Sequence, residues 1–470
     1  MNTSELFSLI PLMMVGGGIL ILIPVAAWKR NFQLAFAIST TTIIFDLAFI
    51  FIKGSCIKVD RASMLFKTDA CALFFIGFFA FLALGVLLIS YEYLKNFPGN
   101  KEEFLILILL GTLGGMVLAA SNHFASFFLG LEILSVSLYG LIAYFGRQPH
   151  LEAGVKYLIL ASASSAFLLF GVALNYAQCG RLIFSGYGLP LIFVGLFFKL
   201  ALVPFHLWTA DVYEGAPAPV TAFIASISKG AVGVFLLRYI AQGSMNSQLV
   251  WITIAIVAIA SMFVGNACAL LQNNIKRILA YSSIAHIGYM MVIIYLFKNY
   301  GDVGGIRLSS IMFFYLIIYT LTNLGTFGII TAYSRWNQEM ASLDDYRGLY
   351  WKQPVSAMFF TIFLFSLAGM PLTAGFVGKF LIFSAGIWSQ CWWLLLILVV
   401  NSVVGLYYYL RIILTMSQEA EGRLVPLPVR LPVPLLISLG LMLSAILYLG
   451  IRPDSLLHWI QYFSQSLYSR

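Results

Sequence analysis

Apolar residues come in runs of about 20, separated by short polar connections, along the length of the chain. A run of that length is what an α-helix needs to cross the hydrocarbon of a bilayer. The pattern predicts about 14 spans: Leu6–Trp28, Phe32–Ile52, Ala70–Tyr93, Phe104–Ala120, Phe124–Phe145, Ala153–Tyr176, Leu191–Ala210, Pro217–Tyr239, Val250–Leu271, Ile278–Phe297, Leu308–Tyr333, Val355–Ala385, Cys391–Leu414 and Leu435–Leu449. The fold class is therefore an all-α polytopic membrane protein. The stretch from Arg452 to Arg470 is too polar to span, and its Leu, Trp, Ile, Tyr and Phe residues suit an interfacial helix or a contact with a neighbour.

Two spans break the apolar pattern in the same way. In LIFVGLFFKLALVPFHLWTADVYEGAPAPVTAFIASISKG, Lys199 and Pro204 interrupt the seventh run, His206 follows, and Lys229 lies inside the eighth. A lysine at the bilayer centre costs about 2.5–3.5 kcal/mol on insertion scales, so two of them beside a proline are hard to explain as packing; the alternative is that Pro204 only kinks the helix while Lys199, and likewise Lys379 further on, snorkels to the membrane boundary. Proline removes one helical hydrogen bond, here from the carbonyl of Leu200, and such a break is tolerated only against protein or a water-filled cavity. The twelfth run, FSLAGMPLTAGFVGKFLIFSA, repeats the arrangement with Pro371 before Lys379. Interrupted helices in corresponding places point to inverted repeats with an ion or substrate site between them. We expect peripheral helices over residues 1–100, a five-helix repeat over 101–240, a second over 241–416, and a last helix with an amphipathic tail over 417–470.

Other buried charges extend the pattern. Glu132 is deep in the fifth run with Ser135 and Tyr139 on its face. A lone carboxylate there needs either a cation from another helix, for which Lys199 is the candidate, or a proton and a carbonyl partner. Glu152 and Lys156 open the sixth run at i, i+4, a spacing that suits a surface pair as well as a functional one. His206 lies seven residues after Lys199 and suits proton relay, or equally a satisfied structural role at a helix end. Tyr281 and His286 share the tenth run, five residues apart and so not strictly on one face. Asp46 in the second run is expected to bond Ser39, Thr42 or a partner subunit, and is left out of the site.

Composition narrows the class. At 61% hydrophobic and 10% charged, the chain is far below the charge content of soluble proteins. The net charge of +9 does not imply nucleic-acid binding, because Lys and Arg sit mostly in the connections. Alternate faces carry 14 and 10 basic residues, with Lys199, Lys229 and Lys379 inside the membrane. That bias puts the termini outside the cytoplasm and the Arg335–Gln353 connection inside it. The first run lacks a basic leader and is long enough to span, so it is read as a transmembrane helix. Cys56, Cys71, Cys179, Cys268 and Cys391 are scattered, which argues against a disulfide framework, a cysteine-ligated cluster or a structural zinc.

With these residues in view, the chain resembles the antiporter-like membrane subunits of respiratory complex I, the NADH:quinone oxidoreductase, most closely the type called subunit N. The resemblance rests on FKLALVPFHLWTADVYEGAPAPVTAFIASISK, NIKRILAYSSIAHIGY and GMPLTAGFVGKF, and covers nearly the whole chain. Related subunits, including those of multisubunit sodium/proton antiporters, carry a histidine in an SALIHAAT-like run where this chain has TAFIASISK with Lys229, and some carry glutamate in place of Lys379. The resemblance implies a bacterial inner-membrane protein, with a chloroplast or cyanobacterial version as the alternative, and a proton path in which Glu132 pairs with Lys199, Lys229 relays and Lys379 is terminal. Glu152, Lys156, His206, Tyr281 and His286 are its supporting members. It also implies partners: a second antiporter-like subunit and small membrane subunits, with FMN, iron–sulfur clusters and quinone in other chains and no cofactor in this one. The alternatives are a structural spacer with an idle channel and a stand-alone or Mrp-type cation/proton antiporter subunit.

Overall fold

The computed structural model describes residues 3–53, 65–180, 182, 186–241, 248–298, 302–303, 305–419 and 431–467. Cys56 and most of the proline-rich segment before Leu435 lie outside the described residues. Helices α1 (Thr3–Trp28), α2 (Phe32–Lys53), α3 (Ala70–Lys95), α4 (Glu102–Ala120), α5 (Phe124–Ala143) and α6 (Gln148–Cys179) come first. Next are α7 (Leu189–Leu200), α8 (Leu207–Gly215), α9 (Ala218–Phe223) and α10 (Lys229–Ala241), the last two joined by a π-helical turn over Ile224–Ser228. Then follow α11 (Gln248–Leu270), α12 (Ile275–Leu296), α13 (Leu308–Tyr333), α14 (Leu349–Lys352), α15 (Pro354–Ala368), α16 (Ala374–Trp388), α17 (Trp392–Ser417), α18 (Val433–Ile451) and α19 (Pro453–Ser464). A two-residue hairpin, β1 (Asp302–Val303) with β2 (Ile306–Arg307), is the only sheet among the described residues.

Among the described residues, twelve helices are long and apolar enough to cross a membrane, counting α9 to α10 as one. The chain is a multi-pass membrane protein. The seventh and twelfth runs are each divided, α7 from α8 and α15 from α16. The structure corrects the expected role of the prolines. Neither proline kinks a continuous helix. The helix has already ended before it. Ala201 adopts the left-handed conformation at φ 60°, and the amide of Leu202 closes back on the carbonyl of Phe197 at 2.9 Å. Gly369 does the same at φ 83°, with the amide of Met370 on the carbonyl of Phe365 at 2.9 Å. Both are helix-terminating turns with a proline shortly beyond, as expected of a residue that cannot continue a helix.

Burial explains the layout. The π-turn with its flanking α9 and α10 is buried throughout up to Ile240, and α13 is buried along its whole length apart from Ala332. Helices apolar on every side belong in the middle of a bundle. Around them, α6 turns Leu158, Ile159, Phe167 and Phe170 outward, the surface a lipid-facing helix needs. The tail helix α19 lays Leu457, Ile460 and Phe463 inward and exposes Trp459 and Tyr462, and the Phe463 ring stacks on Phe74 at 4.3 Å.

Asp46 bonds neither Ser39 nor Thr42. Ser39 and Thr42 donate to their own helix, at Ala35 and Ile38, and both Asp46 oxygens are buried without a hydrogen-bond partner. Hydroxyls on a helix find the carbonyl four residues back before they reach a side chain further on.

Candidate proton-transfer site

Three lysines stand within the bundle, Lys199 and Lys229 buried and Lys379 partly so, each near a helix discontinuity. Lys199 is in the last turn of α7 and 5% exposed. Its ammonium donates to Ser135 Oγ at 2.7 Å and lies 5.7 Å from the Tyr157 ring centroid. The last carbonyls of a helix carry partial negative charge, so this end of α7 favours a cation. Lys229 immediately follows the π-turn and is 0% exposed. It donates to Ser283 Oγ at 2.6 Å and stands 5.2 Å over the Tyr213 ring. Lys379 on α16 reaches back to the carbonyl of Ala368, the last residue of α15, at 2.8 Å, and to Ser402 Oγ at 3.1 Å. It thus faces protein, with the Tyr289 ring at 5.4 Å, and not the lipid boundary.

The predicted Glu132–Lys199 pair is not in direct contact. Glu132, half-buried on α5, accepts from Ser165 Oγ at 2.7 Å, and Lys199 takes the hydroxyl three residues along that helix face instead. Ser135 is three residues from Glu132, so the carboxylate and the hydroxyl that holds Lys199 share one face of α5. Among the described residues, none of the three lysines makes an ion pair.

Between Lys229 and Lys379 lies a hydroxyl–imidazole cluster. His286 Nδ1 is 2.7 Å from the Tyr315 hydroxyl and its Nε2 is 3.0 Å from that of Tyr409, which in turn bonds Ser282. A narrow cavity lined by His286, Tyr315, Tyr319, Thr322, Ser366 and Lys379 joins the imidazole to the terminal lysine. Tyr319 leaves its hydroxyl buried and unpartnered. An unsatisfied buried polar atom beside a cavity is where water is held.

Other predicted members fall elsewhere. Tyr281 makes no hydrogen bond among the described residues, because five residues turn a helix by about 140° and put it off the His286 face. His206 begins α8 beyond the break, beside exposed Pro204 and Leu207, and its Nδ1 is unpartnered. Glu152 and Lys156 bond each other at 2.8 Å, and Lys156 bonds Asp211 at 3.0 Å. Arg277 bridges Asp211 at 2.9 Å and Glu214 at 2.7 Å, completing a half-exposed chain of charges at one rim of the bundle. Asp211 and Arg277 were not singled out from sequence, and neither were Ser283, Tyr315, Tyr319 and Tyr409. The signal for Ser283 was its i, i+3 spacing to His286, and for Tyr315 and Tyr319 their i, i+4 spacing.

Gly369 is required where it stands. A Cβ there would approach Lys379 Cδ to 2.7 Å, on a left-handed backbone. We expect Gly369→Ala to cost about 1–2 kcal/mol in backbone strain and to displace the ammonium from Ala368. Melting in detergent, together with proton-transfer assays, checks both effects.

Residues 121–405, which contain all three lysines, match the family described as NADH:quinone oxidoreductase/Mrp antiporter, transmembrane. The chain belongs to this family. It is an antiporter-like membrane subunit. Its fold is shared by a chain of respiratory complex I from Thermus thermophilus solved with bound aureothin, at 29% identity, covering 95% of this chain and 98% of that one, TM-score 0.81. It is also shared by a chain of the membrane-bound sulfane sulfur reductase, an archaeal respiratory membrane complex (22% identity, 99% and 98% covered, TM-score 0.84). A chain of the Mrp complex from Dietzia has the same fold (21% identity, 100% and 98% covered, TM-score 0.83). At those last two identities the likeness is one of fold.

Proposed function

We propose that this antiporter-like subunit carries protons along the row Glu132, Lys199, Lys229, His286 and Lys379, as a subunit-N-type member of a bacterial NADH:quinone oxidoreductase. The observation that supports this reading is the state of the lysines. Lys199 and Lys229 are buried and Lys379 partly so, and each is held by a serine hydroxyl, joined at Lys379 by a backbone carbonyl. An ammonium that no carboxylate locks in place can give up its proton and regain one. A lysine kept for structure in such surroundings would be paired or absent. Ser283 bridges towards His286 on the same helix face, and the cavity leads from His286 to Lys379.

The subunit has no redox group in this reading. Partner chains supply FMN, iron–sulfur clusters and quinone, and a second antiporter-like subunit and small membrane subunits are its neighbours. Both termini face the periplasm and the Arg335–Gln353 connection faces the cytoplasm. The test is the number of protons moved per electron by the assembled complex in vesicles, with Lys229 and with Lys229→Ala. We expect a lower ratio in the variant. An unchanged ratio with full assembly assigns the chain to a spacer role. Ion exchange by the purified chain alone would assign it to stand-alone antiport.

A further inference from the structure

A second cluster of buried titratable groups lies away from the lysine row, where the Arg335–Gln353 connection folds against the junction of α8 and α9. Lys276, fully buried, donates to the carbonyl of Ala216 at 2.6 Å and to Glu339 Oε2 at 3.2 Å. Glu339 Oε1 also accepts from the Tyr93 hydroxyl at 2.5 Å and from the amide of Ala218 at 3.2 Å. Its side chain is 14% exposed. His150, on the first turn of α6, is 3% exposed and places Nδ1 2.6 Å from the carbonyl of Gly215. Gly215 adjoins Ala216, whose carbonyl takes Lys276, so the imidazole and the Lys276–Glu339 pair sit against the same stretch of backbone.

That geometry fixes the imidazole tautomer. A carbonyl oxygen only accepts, so Nδ1 carries the hydrogen and Nε2 presents a bare lone pair. Nε2 is buried and has no partner. Two more buried oxygens without partners, Thr209 Oγ1 and the Tyr213 hydroxyl, follow on α8 at i, i+4. The Tyr213 ring is the one beneath the Lys229 ammonium. Polar atoms left unsatisfied within a bilayer-spanning bundle mark places that water lines.

We propose that His150 is the proton-accepting residue of a port that opens beside Glu339 and feeds Lys229 past Thr209 and Tyr213. This rests on the proton-transfer reading above and supplies the route from the aqueous face that the lysine row lacks. A proton from the aqueous side adds to Nε2, giving an imidazolium whose Nδ1–H stays on the carbonyl of Gly215. The same proton leaves Nε2 through water between the α8 hydroxyls and adds to the neutral amine of Lys229. The Nδ1–H bond to Gly215 stays intact, and no electrons move.

The decisive variant is His150→Asn. Its side-chain amide retains a donor for Gly215 but has no basic nitrogen. In the intact complex reconstituted in vesicles, we expect proton uptake to fall about tenfold or more, as when a proton-transfer group is lost, with assembly unchanged and with recovery on adding imidazole. Tyr213→Phe, which leaves His150 untouched, is expected to slow uptake severalfold and provides the test if His150→Asn does not assemble. Normal uptake in either assembled variant overturns the port. So does a His150→Asn defect that imidazole leaves unchanged, since that is the behaviour of a purely structural contact. Lys229→Ala is run alongside. If it lacks effect, the underlying proton-transfer reading fails and takes the port with it. If it blocks pumping while His150→Asn is normal, the port alone is wrong.

Discussion

Lys229→Arg is expected to stop proton transfer through the subunit as completely as Lys229→Ala, by a factor of about 100 or more. Arginine keeps the positive charge but does not release its proton in a protein. The pocket is built for a compact group. Ser283 Oγ is the one hydrogen-bond acceptor found for the ammonium among the described residues, and the Tyr213 ring closes one side. A guanidinium brings five donors to that pocket, and each one left unpaired costs about 1–3 kcal/mol. The variant should therefore also melt earlier than Lys229→Ala, which removes a buried charge outright. Proton-to-electron ratios and melting curves of the two variants, side by side, check the pair of expectations. Retained pumping in Lys229→Arg would mean that the site needs only a fixed charge, and the relay role would be lost.

The second large effect concerns stability. Arg238 near the end of α10 grips Asp69 through two hydrogen bonds, at 2.7 and 3.1 Å, with side chains 5% and 0% exposed. Asp69 also caps α3 by accepting from the amide of Ala72 at 2.8 Å. Lys67 reaches Asp69 Oδ2 at 3.8 Å and the carbonyl of Ser466 at 3.2 Å, so α3, α10 and the turn after α19 meet at one point. Removing Arg238 leaves the buried Asp69 carboxylate with only the longer 3.8 Å contact to Lys67, and Arg238→Met is expected to cost about 3 kcal/mol. Asp69→Asn should cost less at the cap but as much at the pair. The double variant Arg238→Met with Asp69→Asn should recover most of the loss, because the fully buried carboxylate is then gone and the cation left without it, Lys67, is partly exposed. Thermal unfolding of the three variants in one detergent measures this. A double variant as unstable as the worse single one would show that the pair's hydrogen-bond geometry, not its charge, holds the junction.

How much of this was legible beforehand follows from how far each signal travels along the chain. Lys199, Lys229 and Lys379 stand out because a cation in a long apolar run contradicts its surroundings, and that contradiction is local. The two helix breaks were legible for the same reason, though proline was credited with an interruption that Ala201 and Gly369 make by turning left-handed. Partners were not legible. His286 bonds Tyr315 and Tyr409, which are 29 and 123 residues away, and no periodicity connects them. Glu132 was assigned to Lys199 as the available buried cation, yet Ser135 and Ser165 are placed by helix packing to take those positions first. Glu152 and Lys156 read correctly as a pair, but their continuation to Asp211 depends on where α8 lands after the break. His150 and Glu339 read as connection residues, since their burial comes from a loop folding back onto helix ends.

The helix ends that hold Lys199 and Lys379 are made of peptide dipoles, which no proton can neutralise. Lys379 therefore has a permanent bias, as a spring has a fixed anchor. At the other extreme, Glu132 sits half-exposed on a wall of α5 that also presents Leu129 and Val136 outward. Its charge can be cancelled or reinforced by whatever chain lies against that wall. The row thus has an adjustable terminal and an invariant one. If the row carries protons as proposed, a neighbouring chain would act on it at the Glu132 end, while the helix-end field at Lys379 would stay the same on every cycle.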